Sequence, residues 1–454
     1  MMSGSRSTEL KELPMTTISR TLETLAGESA IDAKALLLSP HDTLSTTAKQ
    51  MRMAVAELVP LLRKQADEAE RQRFLTTDAS QRLGEIGVFD LGTPLEFGGL
   101  AAGARDLVEV LREVGRGDGS AGWLTATAAN NHLLVVAYPA EAVREVFDGS
   151  PSNCGPRLVG ASIFARQVGS AKAVEGGWLV RGRWGFASGC RTAQWAMVGV
   201  DIEGSTARGL ALLPREAYTI LDDWNTAGMA ATASNTILTE HDVFVPAHRL
   251  FDLSELPQRM GTLKDRYQGA AFTWRDQARI VVITLNLAAV ALGMAEGAME
   301  CFMDMAPKRT PFNLPYPTIA DCPGAQISAG KGRAAIDVAR ASIEHAANGI
   351  DRLSEAGMDL SPPEATRLHM ELVYAIQLCA DAIAELEAAL GSSAFALSNP
   401  VQRFHRDIRV LCSHGAIRFD PLAELSGRDV LGRTAPTMFA GGLPDVGNQK
   451  GDLK

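Results

Sequence analysis

Apolar residues recur at three- and four-residue spacing from Thr46 onward. Met51, Val55, Leu58, Leu61 and Leu62 share one face, and Arg, Lys and Glu fill the other. This pattern predicts a helix, with a second over roughly Asp78–Gly87. Pro94-Leu95-Glu96-Phe97-Gly98-Gly99 is a turn-rich break. Leu107, Val108, Val110 and Leu111 open another helical stretch. Asp118 or Ser120 could cap the apolar helix that follows, through Trp123, Leu124 and Leu133 to Val136. The texture changes near Asn153. Arg157–Ile163, Ala171–Val174, Gly177–Phe186, Trp195–Val200, Gly209–Leu213 and Ile237–Val243 are short β-prone runs broken by Gly, Asp and Ser. In the third run Trp178, Val180 and Trp184 fall on one strand face, and Arg181 and Arg183 on the other. From about Leu263 helices return. Arg275–Ala306, Ala329–Leu353, Pro363–Leu390 and Pro400–Cys412 are candidates. Pro311–Pro323 carries four prolines and reads as a loop between two long helices.

The expected fold class is therefore α+β, mainly α. It comprises an N-terminal helical domain (46–152), a central antiparallel β-barrel or sandwich (153–262) and a C-terminal helical bundle (263–432). Residues 1–45 read as an extension with one short helix near Ile18–Leu25, and 433–454 as a tail. At ~150 residues per domain, 454 residues agree with about three units.

Composition removes several functions. A hydrophobic content of 46% excludes global disorder, and a formal charge of −9 argues against a dedicated nucleic-acid binder. Six scattered cysteines contain no C-x-x-C pair, so no metal site is expected, and a reduced, cytoplasmic protein is. The N-terminus lacks an apolar run after its charges, which is not the form of a secretory signal. The uncharged apolar segment Ile280–Ala295 is shorter than the ~20 residues of a membrane span and reads as a buried helix centre. Gly115-x-Gly117-x-Gly119 lacks the preceding strand and the spacing of a dinucleotide loop.

Several motifs in the expected order resemble the acyl-CoA dehydrogenase superfamily. They are Pro94–Gly99, Gly177–Trp184, Trp224-Asn225-Thr226-x-Gly228-Met229 with Thr232 and Ser234, Asp242-Val243-x-Val245-Pro246, and Arg403-Phe404-His405-Arg406-Asp407. The resemblance covers roughly 46–432 and implies that family's fold, with a C-terminal four-helix bundle. Two departures stand out. The family's Glu-Gly-Thr base is absent, and Leu411-Cys412-Ser413-His414-Gly415-Ala416 occupies its place. Ala230 stands where an Arg is usual. These features resemble a sister group, the oxygenase components of two-component flavin-dependent monooxygenases. Its hallmarks are seen as Trp184-Gly185-Phe186-Ala187-Ser188-Gly189, as Gly122-Trp123-Leu124 with His132, and as His414.

That resemblance implies reduced FMN or FAD, dioxygen and a C4a-hydroperoxyflavin that hydroxylates a phenolic or polycyclic aromatic substrate. A separate reductase would supply the flavin by diffusion. Nitrogen or sulfur oxygenation, or an acyl-CoA dehydrogenase with a relocated base, are the alternatives. By the same resemblance Ser188 would lie near flavin N5, and His414 would accept a phenolic proton. Trp184, Phe186 and Gly189 would line the flavin. His132 and Trp123 would line the substrate. Lys308 and Arg309 would hold a flavin phosphate, often a neighbouring subunit's, within a homotetramer. Each has a plainer reading as well: a turn serine, a helix-terminal or core histidine, core aromatics, and cations complementing a helix C-terminus.

Overall fold

The computed structural model describes residues 44–148, 154–163, 169–205 and 208–433. The expected Ile18–Leu25 helix, the 152/153 boundary and the C-terminal tail after Arg433 lie outside the described residues.

The first block is helical as the periodicity requires. Helix α1 (Thr46–Gln72) is capped by Ser45, whose side chain accepts from the Ala48 N–H, and it buries Met51, Val55, Leu58 and Leu62. Helices α2 (Thr77–Ile86), α3 (Ala104–Gly117), α4 (Gly119–Val135) and α5 (Ala140–Phe147) follow. Of the two candidate caps of α4, Asp118 takes the role. Its Oδ1 accepts the Ala121 N–H at 2.8 Å.

Among its described residues the central block has ten strands. These are β1 (Leu158–Ala161), β2 (Gly169–Val174), β3 (Gly177–Arg181), β4 (Arg183–Trp184), β5 (Trp195–Ile202), β6 (Arg208–Pro214), β7 (Thr219–Ile220), β8 (Ile237–Leu238), β9 (Val243–Pro246) and β10 (Leu250–Asp252). Seven form a sheet in the order β10-β6-β5-β2-β3-β9, with β1 also on β5. A smaller sheet runs β4-β8-β7. Most pairings are antiparallel, but β1 and β2 both run parallel to β5, one after the other along the same edge. The expected long strand Gly177–Phe186 breaks at Gly182 and changes sheets there. A Cβ at Gly182 would lie 2.5 Å from the Trp184 ring, so glycine lets that indole fold back over the strand.

The C-terminal block contains α6 (Leu256–Gly261), α7 (Ala270–Thr273), α8 (Asp276–Met305), α9 (Pro323–Glu355), α10 (Pro362–Ala389), α11 (Pro400–Cys412) and α12 (Phe419–Val430). Helix α11 has the bounds expected from sequence. Pro323 is the first residue of α9, and the proline-rich segment before it forms bends and one short turn, Ile319–Asp321. Helix α8 with its terminal turn is apolar and long enough to cross a membrane, but 89% of its most apolar window is buried inside the protein. It is the central helix of the core.

One apolar core runs through both helical blocks, from Ala48 to Leu422. A second, around Trp184, Val198 and Leu213, fills the β unit. Helices α3 and α8 approach closely because glycines stand at their crossing. A Cβ on Gly293 would lie 2.0 Å from the Arg112 carbonyl oxygen. Beside this crossing Arg112 pairs with Glu109 at 2.8 Å and Glu296 at 2.7 Å, all three buried. The two helical blocks thus depend on each other for burial.

Candidate active site

Helix α4 is buried at every position except Trp123, Thr127, Asn130, Asn131 and Leu134. Those five lie three, four or one residues apart, a single stripe along one face. Water therefore reaches α4 along one side only. Trp123 stands at one end of the stripe. Its Nε1–H donates to Ser188 Oγ at 3.0 Å, and its ring meets the His414 ring edge-on, with centroids 5.3 Å apart. The three blocks of the chain meet here. Trp123 comes from α4, Ser188 from the β4–β5 loop and His414 from the α11–α12 loop.

The Ser188 loop is held by a second loop. Gly189 N–H donates to the Thr232 carbonyl at 2.8 Å, and Ala187 N–H to that of Asn235 at 3.1 Å. Phe74, just after α1, pairs with Thr232 from the other side. Three non-glycine residues of these two loops hold positive φ: Phe186 (+59°), Met229 (+51°) and Ala233 (+45°). Left-handed backbone at such residues is costly and concentrates at functional sites. Gly189 has φ +84°, and a Cβ there would lie 2.9 Å from Pro156.

Behind Ser188 lies a row of hydroxyls. Ser188 Oγ and Ser234 Oγ are 2.7 Å apart, as are Ser234 Oγ and Thr232 Oγ1. Thr232 Oγ1 donates to the Met229 carbonyl at 2.8 Å. Met229 N–H in turn donates to Asp407 Oδ1 at 2.6 Å. Asp407 is buried among Asp118, Glu70 and Arg406. Arg406 Nη2 lies 2.8 Å from Glu70 Oε1, and Arg406 also donates to the Ala227 carbonyl. The Arg-Asp signature helix therefore anchors the 227–234 loop from below.

His414 is exposed by surface area, yet protein surrounds much of its ring. That crowding holds its pKa below the usual histidine value. Its Nδ1 lies 3.4 Å from the Ala416 N–H, too long to commit the ring to one tautomer.

The remaining expected residues are placed differently. Trp184 is fully buried, and its Nε1–H donates to the Gly199 carbonyl at 2.7 Å inside the β core. The strand pattern correctly turned it inward, but inward here is into the β core, so it is no flavin wall. Phe186 is 71% exposed, with its ring edge-on to Trp224 at 6.1 Å. An exposed phenylalanine on strained backbone, two residues from Ser188, is free to cover a planar ligand. His132 is fully buried nine residues beyond Trp123, about 13 Å along the helix. Its Nδ1 is 2.8 Å from Thr93 Oγ1, and its ring packs edge-on against Phe147. Burial, helped by Arg157, pulls its pKa down to about 4, so it is neutral. It is not brought to the Ser188–His414 group. Lys308 and Arg309 are also apart. Lys308 lies near Asp304, and Arg309 donates to Ser393 Oγ at 3.1 Å, both at the exposed end of α8. Fourteen residues, about 21 Å of helix, separate Lys308 from Met294, which packs against the start of α4. His405 pairs with Glu387, as a structural residue would. Among the described residues, Glu141, Glu145 and His248 are close enough to share a cation, but Arg249 already donates to Glu145 at 2.6 Å.

Thr232, Ser234 and Asp407 were not expected as site residues. All three stand inside quoted motifs, and a Thr-x-Ser pair beside a Gly-Met turn was the available signal.

A planar ligand with a hydrogen-bonding edge fits this arrangement. Ser188 offers a nearly buried oxygen, Gly189 a close backbone, Phe186 and Trp123 aromatic surface, and His414 a titratable group. The comparisons agree. The "Acyl-CoA dehydrogenase, N-terminal domain" family matches residues 45–147, and the "Acyl-CoA dehydrogenase, C-terminal domain" family matches 285–419. The FADH(2)-dependent resorcinol hydroxylase oxygenase component of Rhizobium sp. (strain MTP-10005) is 27% identical over 83% of this chain and 93% of that protein. The oxygenase subunit HsaA of a flavin-dependent monooxygenase of Rhodococcus jostii is 27% identical over 79% of this chain and 92% of its own. XiaF from Streptomyces sp., solved with FADH2 and glycerol, superposes with a TM-score of 0.78 at 27% identity, covering 86% of this chain and 97% of that one. Helical blocks flanking a curled sheet, matched at both ends by the same family and along most of the length by its oxygenases, place this chain in the acyl-CoA dehydrogenase superfamily.

Proposed function

We propose that this chain is the oxygenase component of a two-component flavin-dependent monooxygenase. It takes reduced FMN or FAD from a separate reductase and uses dioxygen to hydroxylate a phenolic or related aromatic compound. The observation that carries this reading is the meeting of Ser188 and His414 on Trp123. A dehydrogenase needs a carboxylate there, and this chain presents an imidazole.

When bound, the reduced flavin supplies the electrons that activate oxygen. The chain supplies the rest. Ser188 holds the ring edge, and the strained Phe186 and Gly189 turn lets the backbone approach it. The largely buried walls of α4 and the two loops limit water. His414, held neutral by its surroundings, accepts the phenolic proton and raises electron density on the ring carbon. Six free cysteines suit the reduced cytoplasm we assign it.

Rapid mixing of oxygenated buffer with protein and reduced flavin tests this. A transient absorbing species, distinct from both reduced and oxidised flavin, should outlive that seen without protein. Oxidation at the protein-free rate with no such transient would remove the reading.

We further propose a homotetramer in which Lys308 and Arg309 reach a flavin phosphate of a neighbouring subunit. Exposed apolar residues beside them, Phe312 and Leu314 on one segment and Phe395 and Leu397 on another, support a covered face there. Light scattering at micromolar concentration should give four times the chain mass, and a monomer would end the proposal.

A further inference from the structure

Of the five partly exposed positions of α4, two carry carboxamides, and the fold treats them differently. Asn130 is engaged. Its Oδ1 accepts the Asn286 Nδ2–H at 2.8 Å, which ties α4 to α8. Asn131 is not. Its Nδ2 stands 3.5 Å from the Leu158 carbonyl, the outer limit of a hydrogen bond, and its Oδ1 has no partner among the described residues. That weak contact still sets which way the amide faces. Turned over, it would put its oxygen against the Leu158 carbonyl oxygen, with no proton between them. Asn131 therefore presents one free acceptor and one spare N–H on the side of α4 that water reaches.

Gly160 makes the room for it. It is the one partly exposed residue of β1, and a Cβ there would lie 2.6 Å from Asn131 Oδ1 and 2.5 Å from Ile163 Cδ1. The carboxamide thus occupies space that a side chain would fill. Just past β1, Ser162 takes φ +49°, and its hydroxyl donates to the Gly185 carbonyl at 3.1 Å. Gly185 lies three residues before Ser188, so the strand beside Asn131 and the Ser188 loop are tied together. Asn131 itself lies eight residues beyond Trp123, about 12 Å along the same face. None of Thr127, Asn130, Asn131, Leu134, Gly160 and Ile163 is charged. The charges of Asp90 and Arg157 reach His132, on the buried side of α4, and act there in opposite directions.

We infer that Asn131, seated over Gly160, is a specificity-determining residue that holds a neutral hydroxyl of the substrate, remote from the ring oxygen served by His414. The favoured substrate is then an aromatic compound of two or more rings with oxygen functions at both ends. A hydroxyl both donates and accepts, and so does this amide, so the two match on both counts. A carboxylate at the same place meets no cation, and burying it unpaired is costly. A single-ring phenol placed at Trp123 falls short of Asn131. The inference rests on the monooxygenase reading above and adds to it the class of substrate.

Anaerobic equilibrium dialysis of the full chain, with reduced FMN or FAD present, tests this with three probes built on one ring system. They are 2-naphthol, 2,6-dihydroxynaphthalene and 6-hydroxy-2-naphthoate. Wild type should bind the diol about tenfold more tightly than 2-naphthol, the scale of one added hydrogen bond, and the naphthoate least of the three. Asn131→Leu keeps the side-chain shape and removes both polar atoms, so the diol should lose its advantage. Gly160→Ala leaves Asn131 in the chain but pushes its amide aside, and it should cut the same advantage. The second variant keeps the test available should the leucine variant not fold. A diol that binds no better than 2-naphthol to wild type, or that keeps its advantage in either folded variant, would overturn the inference. So would a naphthoate that binds best, or a wild type that binds none of the three. The rapid-mixing experiment needs no aromatic compound, so the monooxygenase reading stands or falls separately.

Discussion

Replacing Asp407 by alanine should cost about 3 kcal/mol of stability, measured by denaturant unfolding. The carboxyl group accepts the Met229 N–H, and the residue is buried. Its removal leaves a buried donor without an acceptor and a hole beneath a loop whose backbone is already strained. A Cβ on Gly119 would lie 2.7 Å from Asp407 Oδ2, so the packing around the group is tight. Asp407→Asn should cost far less, because the pKa of Asp407 is high. Burial, then the charges of Asp118 and Glu70, push it up to about 8, against the pull of the Met229 N–H and Arg406. The folded-state value thus stands above the unfolded value of ~3.9. The folded protein holds this proton more tightly, so the contribution to stability is full at low pH and is lost as pH rises through about 8. The asparagine variant does not titrate there. Its stability relative to wild type should therefore rise between pH 6 and pH 9. Parallel pH profiles would show that Asp407 does not titrate in that range.

His414→Ala should leave the reaction of bound reduced flavin with oxygen largely intact but lower product yield by about a hundredfold, the lower range for loss of a general base. The two steps separate because His414 meets the Trp123 ring edge-on, and its one described side-chain hydrogen bond is to Ala416 rather than to Ser188. Crowding of the ring lowers its pKa, so the basic form persists below the usual histidine range. Product yield in wild type should fall only when pH drops below ~6.5, and the alanine variant should lose that acid limb. Equal product from the variant would take His414 out of the mechanism.

Much of the fold was legible because its signals are local. The α1 stripe of Met51, Val55, Leu58 and Leu62 is buried as its spacing demands, and α11 runs from Pro400 to Cys412 as expected. Capping and proline placement act over one turn, so a single sequence reveals them. The site was legible in part. Trp123, Ser188 and His414 were all named, and the fold brings them into contact. Trp184 and His132 were named with them and lie elsewhere. Periodicity tells inside from outside, but it does not say which interior a side chain faces. Trp184 turns into the β core, and His132 into the core beside Phe147.

The amino-acid sequence by itself determined the elements, their order and the residue types available for chemistry. Backbone hydrogen bonds and side-chain periods repeat over a few residues, and those are readable along a chain. Only the tertiary structure decided that α3 and α8 join the two helical blocks into one core, and that Asp407 reaches across to hold Met229. It also decided that Thr232 and Ser234 line up behind Ser188. Each of these contacts links residues distant in sequence, and such links leave no period in the chain.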